Sequence, residues 1–306
     1  MNMIKRVLLF VIINFLVVLT ISVLLSVFNV RPYLNAHGLD YPALLAFCLI
    51  WGMGGAFISL LLSRKMAKWL MGVKLVDTKT SNPEMQNLLQ TVHTLAKAAG
   101  LATMPEVGVY DSPEINAFAT GPSKRRSLIA VSSGLLRRMS QAELEGVLGH
   151  EIAHIANGDM VTMTLVQGVV NAFVMFLARV LAYVVSGLGQ KSSRSSSNSY
   201  FAYNMLVFVF ELVFMALGWM VIATYSRFRE FRADRGGAHL AGREKMIAAL
   251  EALQKTRQIE DQRVAKPAFQ ALKIATGEKR GLFHLFATHP PLDVRIHRLQ
   301  EEALGS

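Results

Sequence analysis

His150 and His154 stand four residues apart in the run His150-Glu151-Ile152-Ala153-His154. On an α-helix, positions i and i+4 lie about 40° apart around the axis, so both imidazoles leave from one face. Two neutral imidazoles held that way can bind a single Zn²⁺ at roughly 2.0–2.1 Å each. Glu151 projects beside them, within reach of a proton on a water that such an ion acidifies. The spacing points to hydrolysis, with the histidines as metal ligands and Glu151 as general base.

The flanking residues supply the helix this requires. Ser140 and Glu143 form a capping box: the hydroxyl accepts from the Glu143 N–H and the carboxylate reaches back. Leu144, Val147, Leu148, Ile152 and Ile155 give an apolar stripe, and Asn157-Gly158-Asp159 gives a stop. A hydrolytic zinc keeps three protein ligands and one open position, so a third ligand is needed. The extended H-E-x-x-H-x-x-G-x-x-H form is excluded, because Asn157 and Met160 occupy the glycine and histidine positions.

The chain of 306 residues is 52% hydrophobic, which points to the membrane. Four apolar runs are expected to cross it: 7–28, 41–62, 161–188 and 201–224. The first is too long for the apolar part of a cleaved signal peptide and no small-residue cleavage site follows. The formal net charge of +11 is explained by Lys and Arg flanking these runs. No zinc-finger spacing or aromatic-interleaved basic stripe is present, and no nucleic-acid partner is expected. Lys5 and Arg6 precede the first run, and Arg64, Lys65 and Lys68 follow the second, with only Arg31 between. This predicts a hairpin with both ends in the cytoplasm. Gly52, Gly54 and Gly55 suit close helix packing in lipid. Arg179 and Glu211 lie inside the third and fourth runs, and are expected to pair across that hairpin or to snorkel. Cys48 is the only cysteine, so there is no disulfide framework.

These runs divide the chain. Residues 1–63 form an N-terminal transmembrane hairpin and 161–224 a second one. Residues 64–160 and 225–306 form a cytoplasmic α+β domain with a small sheet. Within it, Pro83–Gly100 is periodic as a helix, Glu106–Tyr110, Ile115–Thr120 and Ser127–Ser132 read as strands, and Arg243–Gln258 reads as a helix. The prolines at 290 and 291 open a last helix through Arg295 and Leu299. An even number of crossings separates His154 from Arg229-Glu230-Phe231-Arg232-Ala233-Asp234, so this stretch returns to the histidines' side. Glu230 and Asp234 share one helical face. One can bind the ion while the other orients a ligand histidine; spacing does not choose between them. Surface carboxylates paired with Arg229, Arg232 and Arg235 are the competing reading.

The combination H-E-I-A-H-I-A-N-G-D, two later spans, R-F-R-E-F-R-A-D and T-H-P-P-L-D-x-R-I resembles the HtpX-type integral-membrane zinc metalloproteases, bacterial heat-shock proteins. More distantly it resembles the CAAX prenyl endopeptidases of the same metallopeptidase family. The resemblance covers nearly the whole chain. It implies a zincin-like (gluzincin) domain with one Zn²⁺ per chain and Glu230 as the third ligand, supported by Asp234. It also implies that His289 and Arg295 approach the site, His289 as an oxyanion donor. The strand carrying Asn116 and Ala117 would bind extended substrate by edge pairing. The expected activity is endopeptidase cleavage of misfolded or damaged membrane proteins, with the site on the cytoplasmic side of the bacterial inner membrane. The runner-up is a non-catalytic membrane scaffold with a structural zinc. Oligomeric state is not legible.

Overall fold

A computed structural model describes residues 40–189, 196–264 and 286–301. The expected first span, 7–28, lies outside the described residues. Among the described residues, three helices are long and apolar enough to cross a membrane. They belong to α1 (Tyr41–Leu70), α5 (Asp159–Gly189) and α6 (Ser196–Ala241). The chain folds as two compact units, Met1–Ser59 with Thr162–Ile222 and Leu60–Val161 with Ala223–Ser306.

In the first unit, the charges inside the third and fourth apolar runs pair, one of the two expected outcomes. Arg179 Nη1 donates to Glu211 Oε1 at 2.7 Å and to the Met175 carbonyl at 2.9 Å. The guanidinium also sits 5.5 Å from the Phe47 ring centroid. Each charge thereby keeps a partner within an apolar helix pair. Of the three glycines expected to pack closely, Gly52 does: a Cβ there would meet the Ala172 backbone at 2.6 Å. Among the described residues, a Cβ at Gly54 or Gly55 would meet nothing within 4 Å.

The second unit holds β1 (Lys74–Leu75), α2 (Pro83–Ala98), β2 (Glu106–Tyr110), β3 (Ala117–Ser123), β4 (Arg126–Ser132), α3 (Ser133–Arg138), α4 (Gln141–Asn157), α7 (Arg243–Val264) and α8 (Leu292–Glu301). The four strands form one mixed sheet in the order β1-β2-β4-β3. β2 runs parallel to β4, while β1 and β3 are antiparallel to their neighbours. β4 is buried from Ser127 onward because both of its faces are covered. Ile129 and Val131 face a core made with α2 and α4, and Leu128 and Ala130 face a smaller one with Val73 and Tyr110. β1 escapes the sequence because two exposed residues carry no readable period.

Both helices on the larger core have the caps their sequences specify. Asn82 accepts from the Glu84 and Met85 amides ahead of Pro83 in α2. Ser140 accepts from the Glu143 amide while Glu143 accepts from the Ser140 amide at 2.7 Å. Leu148, Ile152 and Ile155 of α4 are fully buried against Leu88 and Val92 of α2; each such side chain contributes about 1.5–3 kcal/mol. The opposite face of α4 is left to carry His150 and His154.

One continuity matters for the site. The apolar run 201–224 and the polar helix after it are a single 46-residue helix, α6. It is about 69 Å long. No proline interrupts it, and it ends only at Gly242, where φ is 103°.

Candidate metal centre

α4 delivers His150 and His154 to one face, as their spacing requires. Their Nε2 atoms lie 3.1 Å apart. α6 brings Glu230 opposite: Oε2 is 3.4 Å from His150 Nε2, and Oε1 is 3.4 Å from His154 Nε2. Glu230 is only 1% exposed. This approach depends on Gly237, where a Cβ would meet the His150 backbone nitrogen at 2.9 Å and Met246 Sδ at 2.9 Å. Any side chain there would push α6 off α4 and take Glu230 with it.

The outer nitrogens are held by carboxylates. His150 Nδ1 lies 3.0 Å from Asp234 Oδ1, one helical turn after Glu230. His154 Nδ1 lies 2.7 Å from Asp159 Oδ2. With an Nδ1–H donating outward from each ring, a bound cation would meet both Nε2 atoms on the side of Glu230. In the sequence, Asp159 reads only as part of the helix stop. The helix is capped at Gly158, whose φ of 77° is left-handed, and Asp159 just after it reaches His154. The signal was present as a glycine cap followed by an acid, but spacing alone does not say where the acid points. Asp159 also accepts from Arg232.

Arg295 on α8 is buried, not a solvated helix charge. It grips Asp234 with two bonds, Nε to Oδ2 at 2.7 Å and Nη2 to Oδ1 at 2.5 Å. Its Nη1 is 3.7 Å from Glu230 Oε2. His289 is mostly exposed, yet its Nδ1 is 3.0 Å from Glu230 Oε2. Glu151 is partly exposed, and its charge acts on Arg295. The structure thus brings His150, Glu151, His154, Glu230, Asp234, His289 and Arg295 together.

Burial pushes the Glu230 carboxyl up, but hydrogen bonds to His150, His154 and His289 outweigh it and hold the pKa well below the carboxylate range. Asp234 follows the same pattern: burial raises it, and the Arg295 and His150 bonds bring it down further. Burial lowers the His150 pKa, and its bonds to Asp234 and Glu230 reverse this, to about 9. The cluster is built for positive charge between two imidazoles and a carboxylate.

The strand residues lie on the sheet edge. The Asn116 carbonyl accepts from the Ser132 amide and its own N–H donates to Ser132 Oγ. Asn116 therefore turns its backbone inward. With Ala117 opposite Val131 and Ala119 opposite Ile129, the alternation turns the groups of Ala117 and Ala119 outward.

Residues 82–303 match peptidase family M48. A Bacillus subtilis (strain 168) protein named Protease HtpX homolog is 50% identical, over 97% of this chain and 99% of its own length. Protease HtpX of Chromohalobacter salexigens is 46% identical, over 97% and 98%. Among solved structures, the crystal structure of S. mikatae Ste24p is similar with a TM-score of 0.55 at 18% identity. That alignment covers 90% of this chain and 66% of the other, and at this identity it speaks for the fold alone. Two histidines and a glutamate converge in a chain whose helices are apolar enough for lipid and whose sequence matches proteases end to end: the chain belongs to peptidase family M48 and is a membrane-bound metalloprotease.

Proposed function

We propose that the metal is zinc, held by His150, His154 and Glu230, and that the enzyme is an endopeptidase acting on misfolded or damaged membrane proteins. The observation that carries this is the convergence of the donors: the two imidazole Nε2 atoms lie 3.1 Å apart, and each is 3.4 Å from one oxygen of the Glu230 carboxylate. Ligand atoms about 2.0 Å from one tetrahedral ion lie about 3.3 Å apart, and one donor atom from each of the three residues can be chosen so that all lie within 4.8 Å of one another, close enough for one ion to draw together. Two imidazoles and a carboxylate are also the donor set of a hydrolytic zinc. Among the described residues the group has three members, not the four of a structural site, which argues against the scaffold reading.

Zinc bound there would supply Lewis acidity, polarising the scissile carbonyl and acidifying a water. The chain's own groups do the rest. Glu151 takes the water proton and later gives it to the leaving amine. Asp234 and Asp159 hold the imidazoles in the tautomer that presents Nε2. Arg295 fixes Asp234. His289, with Nδ1 3.0 Å from Glu230, is the group placed to donate to the developing oxyanion. The outward backbone groups of Ala117 and Ala119 pair with an extended substrate; Asn116 closes the strand's inner side.

Four spans with both ends in the cytoplasm remain our reading of the topology, supported by Arg64, Lys65 and Lys68 after residue 62. The domain organisation then puts 64–160 and 225–306 together on the cytoplasmic side of the bacterial inner membrane.

Two measurements test the site. Metal analysis of the purified protein should find about one zinc per chain, and Glu230→Ala should lose most of it. Unchanged zinc in that variant would assign the third ligand elsewhere. Asp159→Asn should weaken zinc binding roughly 10–100-fold in competition with a chromogenic chelator. Wild-type affinity would show that His154 needs no carboxylate to orient it.

A further inference from the structure

We propose that residues 66–75 form an interfacial anchor, seated among anionic lipid headgroups, that holds the small sheet at a set height above the bilayer. α1 has 30 residues and is about 45 Å long, against a hydrocarbon core of about 30 Å. Its charges begin at Arg64, so its last two turns emerge from the hydrocarbon. They do not become polar. Met66, Trp69, Leu70, Met71 and Leu75 are all exposed, Trp69 by 84% and Leu70 by 63%. Exposed apolar side chains grouped this densely mark a contact surface.

The geometry points to lipid as the occupant. Trp69 lies about 200° around the helix from the buried Ala67, on the same face as Ile58 and Leu62, which are exposed within the span. The patch therefore continues the lipid-facing stripe rather than starting a new surface. From Ser63 to Val76 the chain carries Arg64, Lys65, Lys68 and Lys74 and no acid. Arg64 and Lys68 turn inward to Glu106 on β2, while Lys65 and Lys74 are exposed beside the apolar residues. A tryptophan ringed by lysines is the composition of a membrane–water interface facing anionic lipid. α6 leaves its apolar run in a similar way, with Phe228 exposed between Arg227 and Arg229.

The inner side of the segment is fastened to the sheet. Ala67 and Val73 share a core with Tyr110, Leu128 and Ala130, and the Glu106 ion pairs add a second tie. β4 is thus held by the anchor on one face and carries the edge strand β3 beside it. If β3 takes substrate, a role that rests on the reading above, the anchor limits cleavage to segments close to the membrane.

The test uses the full chain in lipid nanodiscs. Its three tryptophans, Trp51, Trp69 and Trp219, allow single-tryptophan proteins by Phe replacement. With Trp69 alone, lipid brominated near the headgroup end of the acyl chain should quench at least about twofold more than lipid brominated near the bilayer centre. With Trp51 alone the order should reverse, which checks the span by itself. Replacing anionic by zwitterionic lipid should reduce Trp69 quenching, and Lys65→Glu with Lys74→Glu should abolish that dependence. Trp69 left unquenched by either lipid while Trp51 is quenched overturns the anchor and leaves the span standing. In that case iodide access means open water and shielding from iodide means a second copy or a protein partner. Deepest quenching at the bilayer centre, or no effect of headgroup charge, overturns it equally.

Discussion

Glu151→Gln should leave the protein folded and its metal bound while cutting peptide hydrolysis by roughly 10²–10⁴-fold, the usual contribution of a positioned general base. Glu151 follows His150 on α4 and is partly exposed, outside the buried donor triangle, so the amide replaces the carboxylate without disturbing the cluster. What is lost is the ability to accept a proton at neutral pH. The checks are metal content and kcat/KM on an unfolded protein substrate, measured on the same preparation. Full activity with metal bound would sink the proposed base. Loss of both metal and activity would mean that Glu151 supports the site's structure, contrary to its position.

The second large effect is expected outside the reacting groups. Arg295→Met removes the cation that grips Asp234 by two bonds, 61 residues away in sequence. It leaves a carboxylate that is 3% exposed with His150 as its remaining partner. Breaking one side of a buried ion pair costs about 3–5 kcal/mol; the lower end applies because His150 still donates to Asp234. The sign with pH follows from the Asp234 pKa, which is depressed in the folded protein. The stability it contributes is present above its unfolded value of about 3.9 and is lost as pH falls through the lower folded pKa. In Arg295→Met that acid transition should move to higher pH. Asp234→Leu with Arg295→Met should recover part of the stability, since no orphaned charge remains, but not the metal affinity, since His150 loses its support. Denaturant melts and zinc competition on the same variants separate the two effects. Restored affinity in the double variant would show that Asp234 is only a structural counter-ion.

Much of this protein is local and therefore legible in its sequence. A five-residue motif on one helix needs only the 3.6-residue period to put His150 and His154 side by side. The Ser140–Glu143 capping box acts within one turn. Apolar runs announce themselves by length, and Arg179 and Glu211 announce their pairing because lipid leaves a charge few alternatives. The strands at 106–110 and 126–132 show because each is a short alternating or apolar run between turn residues. β1 does not, because its two exposed residues gain their conformation from pairing with β2 rather than from any preference of their own.

What the sequence by itself determined was the reaction type and the helix that carries it. Only the tertiary structure decided which carboxylate faces the imidazoles. Glu230 and Asp234 share a helical face, and their order along the chain is silent on which meets Nε2 and which meets Nδ1. That follows from how closely α6 lies on α4 at Gly237, a contact between residues far apart in the chain. The same holds for Asp159, aimed by the left-handed turn at Gly158, and for Arg295, drawn from the last helix into the core. Period and composition specify which face of an element is polar. They do not specify which atom it meets, because that depends on packing distances set by the whole fold.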